Sequence, residues 1–331
     1  MNREALRAER SHYQATRPAH SERDWLAVMG VATLVELIWW AIAWVAGIAP
    51  APFLFSYLAI AFAALGTVLA LHRIFGSARP RPALRTLVAA TVLIGIAASL
   101  FLPLKYAIPR EIPFWLDKPL AMAELNAFGT HPWVLLDRLF GWAAVPIDRV
   151  YALWLPVQLL AVYGIMIQPA SPGKAQALIA YSLIWFGLGV IAAVLCSSAG
   201  PIFYDRLYGG SAFEALRSTL VRRGATMVLA ESDAMWASFA SGRPGPVAGM
   251  SAVPSLHVAV SAWMVLAARS IAPRAAGLAL AYCVFMWAAS VQLGWHYASD
   301  GLAGVIGALA IWWLTGLGMN LLTASRQGRA G

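Results

Sequence analysis

Eight stretches of this chain carry almost no charge over about 20 residues each, the length at which a helix crosses the hydrocarbon of a bilayer. They cover residues 24–48, 53–71, 86–104, 150–167, 175–196, 249–268, 275–293 and 301–322. The sixth is the weakest, since its unbroken apolar part starts only near Ser255. In lipid every backbone N–H and C=O must be satisfied within its own segment, so such a pattern folds as helices. The expected class is all-α: a polytopic transmembrane helical bundle of about eight spans. Composition agrees. Charged residues make up 12% of the chain, against about 25% in a soluble domain.

The net charge is +9, and its placement sets an expected orientation. Arg3, Arg7, Arg10, Arg17 and Arg23 precede the first run, and Arg73, Arg79, Arg81 and Arg85 fall between the second and third. Lys174, Arg269, Arg274, Arg326 and Arg329 share that side if the chain crosses at each run. The short loops opposite, 49–52 and 294–299, hold no Lys or Arg. By the positive-inside rule both termini are cytoplasmic, in an integral cytoplasmic (inner) membrane protein. The long outer connections do hold basic residues, which suits anionic lipid headgroups. Nothing resembles a nucleic-acid-binding motif. The first run is not expected to be a cleaved signal peptide, because a long polar stretch precedes it.

One transmembrane catalytic domain is expected over 24–322, between cytoplasmic tails at 1–23 and 323–331. Two long extracytoplasmic connections interrupt the runs. The first, 105–149, contains Pro109, Pro113, Pro119 and Pro132 and alternates apolar patches with Glu111, Asp117, Lys118, Asp137 and Arg138. Short interfacial helices fit this pattern, either lying at the membrane or capping the bundle. The second, 200–250, holds five arginines and the Gly/Pro-rich 242–246; loops of this length are usually functional or disordered. Cys196 and Cys283 lie in apolar runs without metal or redox spacing.

Two segments carry chemistry. In Val253-Pro254-Ser255-Leu256-His257, a proline and a serine open an apolar run, as at a helix N-terminus. The free N–H groups there favour an anion, and the Ser255 hydroxyl is a further donor for phosphate. In Gly294-Trp295-His296-Tyr297-Ala298-Ser299-Asp300, His296 and Asp300 are four apart and share a helix face. A carboxylate on Nδ1 fixes the imidazole tautomer and leaves Nε2 free to attack. Gln292, four residues before His296, is placed to hold an oxygen ligand. Antiparallel sixth and seventh spans bring His257 and His296 to the same outer end, as an acid and a nucleophile. A zinc site is the competing reading, but there is no His-x-x-x-His pair and no third histidine in the cluster, so no metal and no other cofactor is expected.

At these residues the chain resembles the type 2 phosphatidic acid phosphatase superfamily, with its Pro-Ser-Gly-His and later Ser-Arg-x5-His-x3-Asp motifs. Pro254-Ser255-Leu256-His257 matches the first with Leu for Gly, and His296-x3-Asp300 ends the second. The Pro-Ser-Leu-His form, Gly-Trp-His-Tyr-x-Ser-Asp, and Ser197-Ser198-Ala199-Gly200-Pro201 followed by Tyr204 look most like the inositol phosphorylceramide synthase-like branch. The likeness is strongest over 197–307. It implies a phosphohistidine mechanism on a phospholipid or sphingolipid, with His296 as nucleophile, Asp300 orienting it and His257 as acid and then base.

The family's Lys-x6-Arg-Pro motif is missing. His72-x6-Arg79-Pro80 imitates it on the cytoplasmic side, and Ser290 stands where the second motif has Arg. The transition state still needs cations. Arg206 is the first candidate, with Arg217, Arg222, Arg223 and Arg243 behind it. Glu36, deep in the first run, is expected to be a neutral, hydrogen-bonded packing residue, although intramembrane carboxylates default to function. His12, His20 and His72 are expected to be bland, and only His131 lies on the outer side, near headgroups. Phosphatase or transferase remain alternatives. The roofed site and the branch likeness favour transfer. A transporter would suit Glu36 and the span count, but no broken-helix repeat is visible. An intramembrane serine protease lacks its Gly-x-Ser-x-Gly elbow.

Overall fold

The structure, a computed structural model, describes residues 22–75, 82–245 and 249–327. The expectations for the N-terminal arginines up to Arg17, for His12 and His20, and for Arg79, Pro80, Arg81 and Arg329 fall outside these residues. Within them the protein is all-helical. The N-terminal part is α1 (Glu22–Val45), α2 (Leu54–Phe75) and α3 (Leu84–Glu111). Then come the short helices α4 (Asp117–Phe128), α5 (Pro132–Phe140) and α6 (Ala144–Ala152), followed by α7 (Trp154–Met166). Next is α8 (Pro172–Leu195), which contains a π-helical turn at Gly187–Ala192. Three more short helices follow: α9 (Pro201–Tyr208), α10 (Glu214–Arg223) and α11 (Thr226–Ser241). The chain ends with α12 (Leu256–Ile271), α13 (Ala276–Gln292) and α14 (Ala298–Gln327).

Among the described residues six helices are long and apolar enough to cross a membrane, or seven if the bent pair Pro132–Ala152 and Trp154–Met166 is one span. The expected eight is therefore not reached by length and composition, for two physical reasons. The run 150–167 breaks between α6 and α7 with a 46° bend. The run 249–268 becomes helical only at Leu256, where Ser255 caps it, so α12 has 16 residues and rises about 24 Å at 1.5 Å per residue. In the other direction, α3 continues past Leu104 to Glu111, through Pro103 and Pro109. Proline deletes one ladder bond without forcing the helix to end when packing holds it.

α12 is apolar all round because it is buried all round. Val258, Ala259, Val260, Ser261 and Trp263 have no exposed surface, and α8, α13 and α14 enclose the helix. Lipid is as apolar as this interior, so close packing and interhelical hydrogen bonds hold the bundle, at about 0.6–2 kcal/mol per bond. Trp263 Nε1 donates to the Ala177 carbonyl at 2.7 Å, and Gln176 Nε2 to that of Trp312 at 3.0 Å. Gly304 of α14 lets that helix touch the start of α12: a Cβ there would strike the Ser255 carbonyl. The Ser255 N–H in turn donates to the Asp300 carbonyl at 3.1 Å. The two motif segments are thus joined through backbone.

The connections build a roof with its own apolar core, including Trp133, Tyr151, Phe203, Phe213 and Leu216. Three buried carboxylates from α4 and α6 latch it to the second half. Asp117 accepts from Ser198 Oγ (2.7 Å) and from the N–H groups of Ala199 (2.9 Å) and Gly200 (3.0 Å). Asp148 accepts from the first N–H groups of α11, Met227 at 2.7 Å and Val228 at 2.9 Å. Glu124 accepts from Ser299 N and Oγ, both at 2.9 Å. Each satisfies donors that a helix start leaves open. The first connection is thus tied to the second half of the chain by these carboxylates.

Candidate active site

His257 lies in the first turn of α12, held there by the Ser255 cap, whose Oγ accepts from Val258 N at 3.4 Å. Its ring lies 4.9 Å from that of Tyr151 and 4.3 Å from that of Trp154, which fix its plane between α6 and α7. His296 stands two residues before α14 rather than inside it. The Gly294 turn, with a φ of 77°, aims it back at α12. His296 Nδ1 is 3.3 Å from Asp300 Oδ2, and that same oxygen accepts from Tyr297 N at 2.9 Å. The His257 and His296 ring centroids are 5.8 Å apart.

Both histidines open into a cavity of about 450 Å³. Burial first, then the charge of Lys105, hold the His296 ring down at about 3, with the Ala252 backbone opposing them. His296 is therefore neutral at neutral pH. With its proton on Nδ1, facing Asp300, the Nε2 lone pair is left for a nucleophilic role.

Lys105 also lines this cavity. It is 6% exposed, and no hydrogen-bond acceptor or carboxylate meets its ammonium among the described residues; the Phe101 ring lies 5.6 Å away. A buried cation without an anion beside two histidines is a ready site for a phosphate. Sequence reading missed it because Lys105 follows an apolar run and precedes Pro109, and so looked like the first residue of a loop. The signal available was a single lysine flanked by apolar residues for four positions on each side. Glu231 of α11 lines the same cavity from the roof.

The remaining candidates lie elsewhere. Arg206 pairs with Asp233 at 2.6 Å and lies over the Trp236 ring, and Arg217 shares that carboxylate at 2.8 Å. Arg223 pairs with Asp137. Tyr204 packs its ring on Tyr208 and Phe213. Ser255 is fully buried as a cap, and Gln292 is buried with its Nε2 unpartnered. His131 packs against Phe213, and burial lowers its pKa while Asp205 opposes. None of these side chains borders the cavity. Gly200, with a φ of 100°, passes so close under the Trp295 carbonyl that no side chain fits, which seats the 198–200 turn against the His296 segment. Among the described residues no three of His, Cys, Asp and Glu form a group that could hold a metal ion.

A family model described as the PAP2 superfamily matches residues 128–314. That stretch holds both motif segments and the roof from α5 onward; α1 to α4, with Lys105, precede it. No curated protein and no solved structure matches the chain.

Proposed function

This chain belongs to the PAP2 superfamily, and on that premise we propose that it is a membrane lipid phosphotransferase working through a phosphohistidine on His296. Membership makes it a phosphatase-type enzyme, and its apolar helices make it an integral membrane protein. The observation that carries the finer reading is one cavity holding a neutral His296 backed by Asp300, a second histidine 5.8 Å away, and the unpaired Lys105.

The proposed steps use that geometry. His296 Nε2 attacks phosphorus, the bond from phosphorus to the leaving alcohol oxygen breaks, and His257 gives that oxygen its proton. An acceptor hydroxyl then yields its proton to His257 and attacks phosphorus, freeing His296. Lys105 balances the charge gathering on the phosphoryl oxygens. Asp300 orients His296. Ser255 caps α12 and positions His257, whereas Arg206 and Tyr204 support the roof. Residues 24–322 act as one catalytic unit with its core at 197–307. The site faces the extracytoplasmic side of the cytoplasmic membrane, a reading supported by the Lys/Arg asymmetry of the short loops.

The inositol phosphorylceramide synthase-like motif form and the roof over the cavity favour a phosphoryl or phospho-headgroup passing to a lipid alcohol, since water must be excluded for transfer to win. The test incubates purified protein with radiolabelled phospholipid donors, with and without ceramide or diacylglycerol. A new labelled lipid appearing only with an acceptor supports transfer. Free phosphate as the only product with every acceptor makes the protein a lipid phosphatase. For sidedness, Ser211→Cys, exposed on the roof, placed in a chain whose Cys196 and Cys283 are alanine, reacts with an impermeant thiol reagent in intact cells; labelling only after lysis reverses the orientation.

A further inference from the structure

The cavity beneath the histidines does not stop at the level of Lys105. It follows the inner face of α3 downward past Phe101, Ala98 and Ile94. From Lys105 to Ile94 that is about 16 Å at 1.5 Å per residue, well into the span. There it shares Ile94, Ala98, Phe101, Leu159 and Trp185 with a second, smaller cavity of about 70 Å³. Below Lys105 the walls are mostly apolar, with a few hydroxyl groups and one carboxylate among them. Glu36 of α1 faces the small cavity, is 3% exposed, and its Oε2 has no hydrogen-bond partner.

The neighbouring hydroxyl protons are already committed. Thr33 Oγ1 donates to the Met29 carbonyl at 2.9 Å, Ser182 Oγ to that of Leu178 at 3.2 Å, and Tyr181 OH to Gln158 Oε1 at 2.9 Å. The expected hydrogen-bonded packing role is therefore not what the structure shows for Glu36. A carboxyl held in hydrocarbon without a partner is disfavoured unless something completes it, and the route to it leads from the phosphate site.

We propose that the two cavities together form a chain-binding subsite, and that Glu36 accepts a hydrogen bond from a hydroxyl on the lipid chain. The inference rests on the phosphotransfer reading only for the position of the headgroup. With phosphate at Lys105, the matching hydroxyl lies near the level of Ala98, seven residues and about 10 Å lower. Lipids hydroxylated at that depth are the favoured class; an unsubstituted chain fits the walls but leaves Glu36 unsatisfied.

The experiment measures binding by native mass spectrometry, so it does not require turnover. The probes are single-chain lipid phosphates of equal length, unsubstituted or carrying one hydroxyl at successive chain positions. Wild-type protein is expected to bind the best hydroxylated probe about tenfold more tightly than the plain one, the size of one hydrogen bond to a buried polar group. The preference should peak at one position along the chain. Glu36→Leu should erase it. Ala97→Phe, which fills the small cavity with Glu36 intact, should erase it too, guarding against a fold defect in the first variant. A flat profile in wild type overturns the proposal and assigns the Glu36 site to water; a preference that survives both substitutions overturns it too, by placing the recognition elsewhere. Separately, wild-type turnover of 4-nitrophenyl phosphate, lost in His296→Ala, tests the catalytic reading without any chain, so the two can fail independently.

Discussion

Each end of the bundle buries a lysine against an aromatic ring, and the two are treated differently. Lys174, at the start of α8, donates to Glu22 at 2.7 Å and to the Gln168 carbonyl at 2.9 Å, with the Trp25 ring 5.8 Å away. Lys105, near the end of α3, has the Phe101 ring at 5.6 Å and no acceptor among the described residues. The first is complete and ties α1 to α8. The second is a cation awaiting an anion, with His257 and His296 beside it. A buried charge that the protein completes is structure; one that it leaves open is evidence of a ligand.

The comparison can be broken most sharply at the histidines. His296→Ala should abolish turnover, because no other side chain in the cavity stands with a carboxylate behind it. His257→Ala should cost about 10²–10⁴-fold for ordinary alcohols and much less for a leaving group that is already a weak base. Equal responses of the two variants to leaving-group pKa, measured with a series of aryl phosphates, would refute the division of roles.

The lysines follow. Lys105→Met should lower turnover about 10²–10³-fold by removing a preorganised cation, while melting temperature holds or rises, since an uncompensated buried charge is gone. Lys174→Met should do the reverse: stability falls by about 1–3 kcal/mol, as Glu22 loses its partner, and activity per folded molecule stays close to wild type. Thermal melts paired with rate measurements on both variants decide this. If Lys105→Met loses stability and keeps activity, the contrast is wrong.

A smaller effect concerns Glu124, which holds the start of α14 through Ser299. Glu124→Gln should cost about tenfold in turnover by loosening Asp300 behind His296, with KM little changed; a fall confined to KM would place it in substrate binding. The smallest is a pH dependence. His296 is held at about 3, against about 6.5 for an ordinary imidazole. Between those values the unfolded chain binds a proton that the native chain does not, so stability falls as pH drops through this window. Melting temperature should decline more steeply from pH 6.5 downward in wild type than in His296→Ala; parallel curves would contradict the depressed value.

What the sequence disclosed, and what it hid, follow from distance along the chain. The Ser255–His257 and His296–Asp300 segments were legible because each acts within five residues of chain, and their meeting followed from antiparallel helices. Glu124 meets Ser299 across 175 residues, and Asp117 meets Ser198 across 81, pairings that no local pattern encodes. Arg206 looked like a phosphate ligand because sequence shows a charge but not its partner, here Asp233. Lys105 was hidden by Pro109, which read as part of a proline-rich connection and is carried inside α3. The span count slipped for a similar reason: hydropathy does not register the bend between α6 and α7 or the late start of α12.

The most direct test is to trap the intermediate. His257→Ala is mixed briefly with a radiolabelled aryl phosphate, whose leaving group needs little acid help, then denatured in base and digested. Label that is stable in base, lost in acid, and carried by the peptide containing His296 is the predicted result. Label on another residue, or turnover with no labelled protein at any time, contradicts a phosphohistidine at His296.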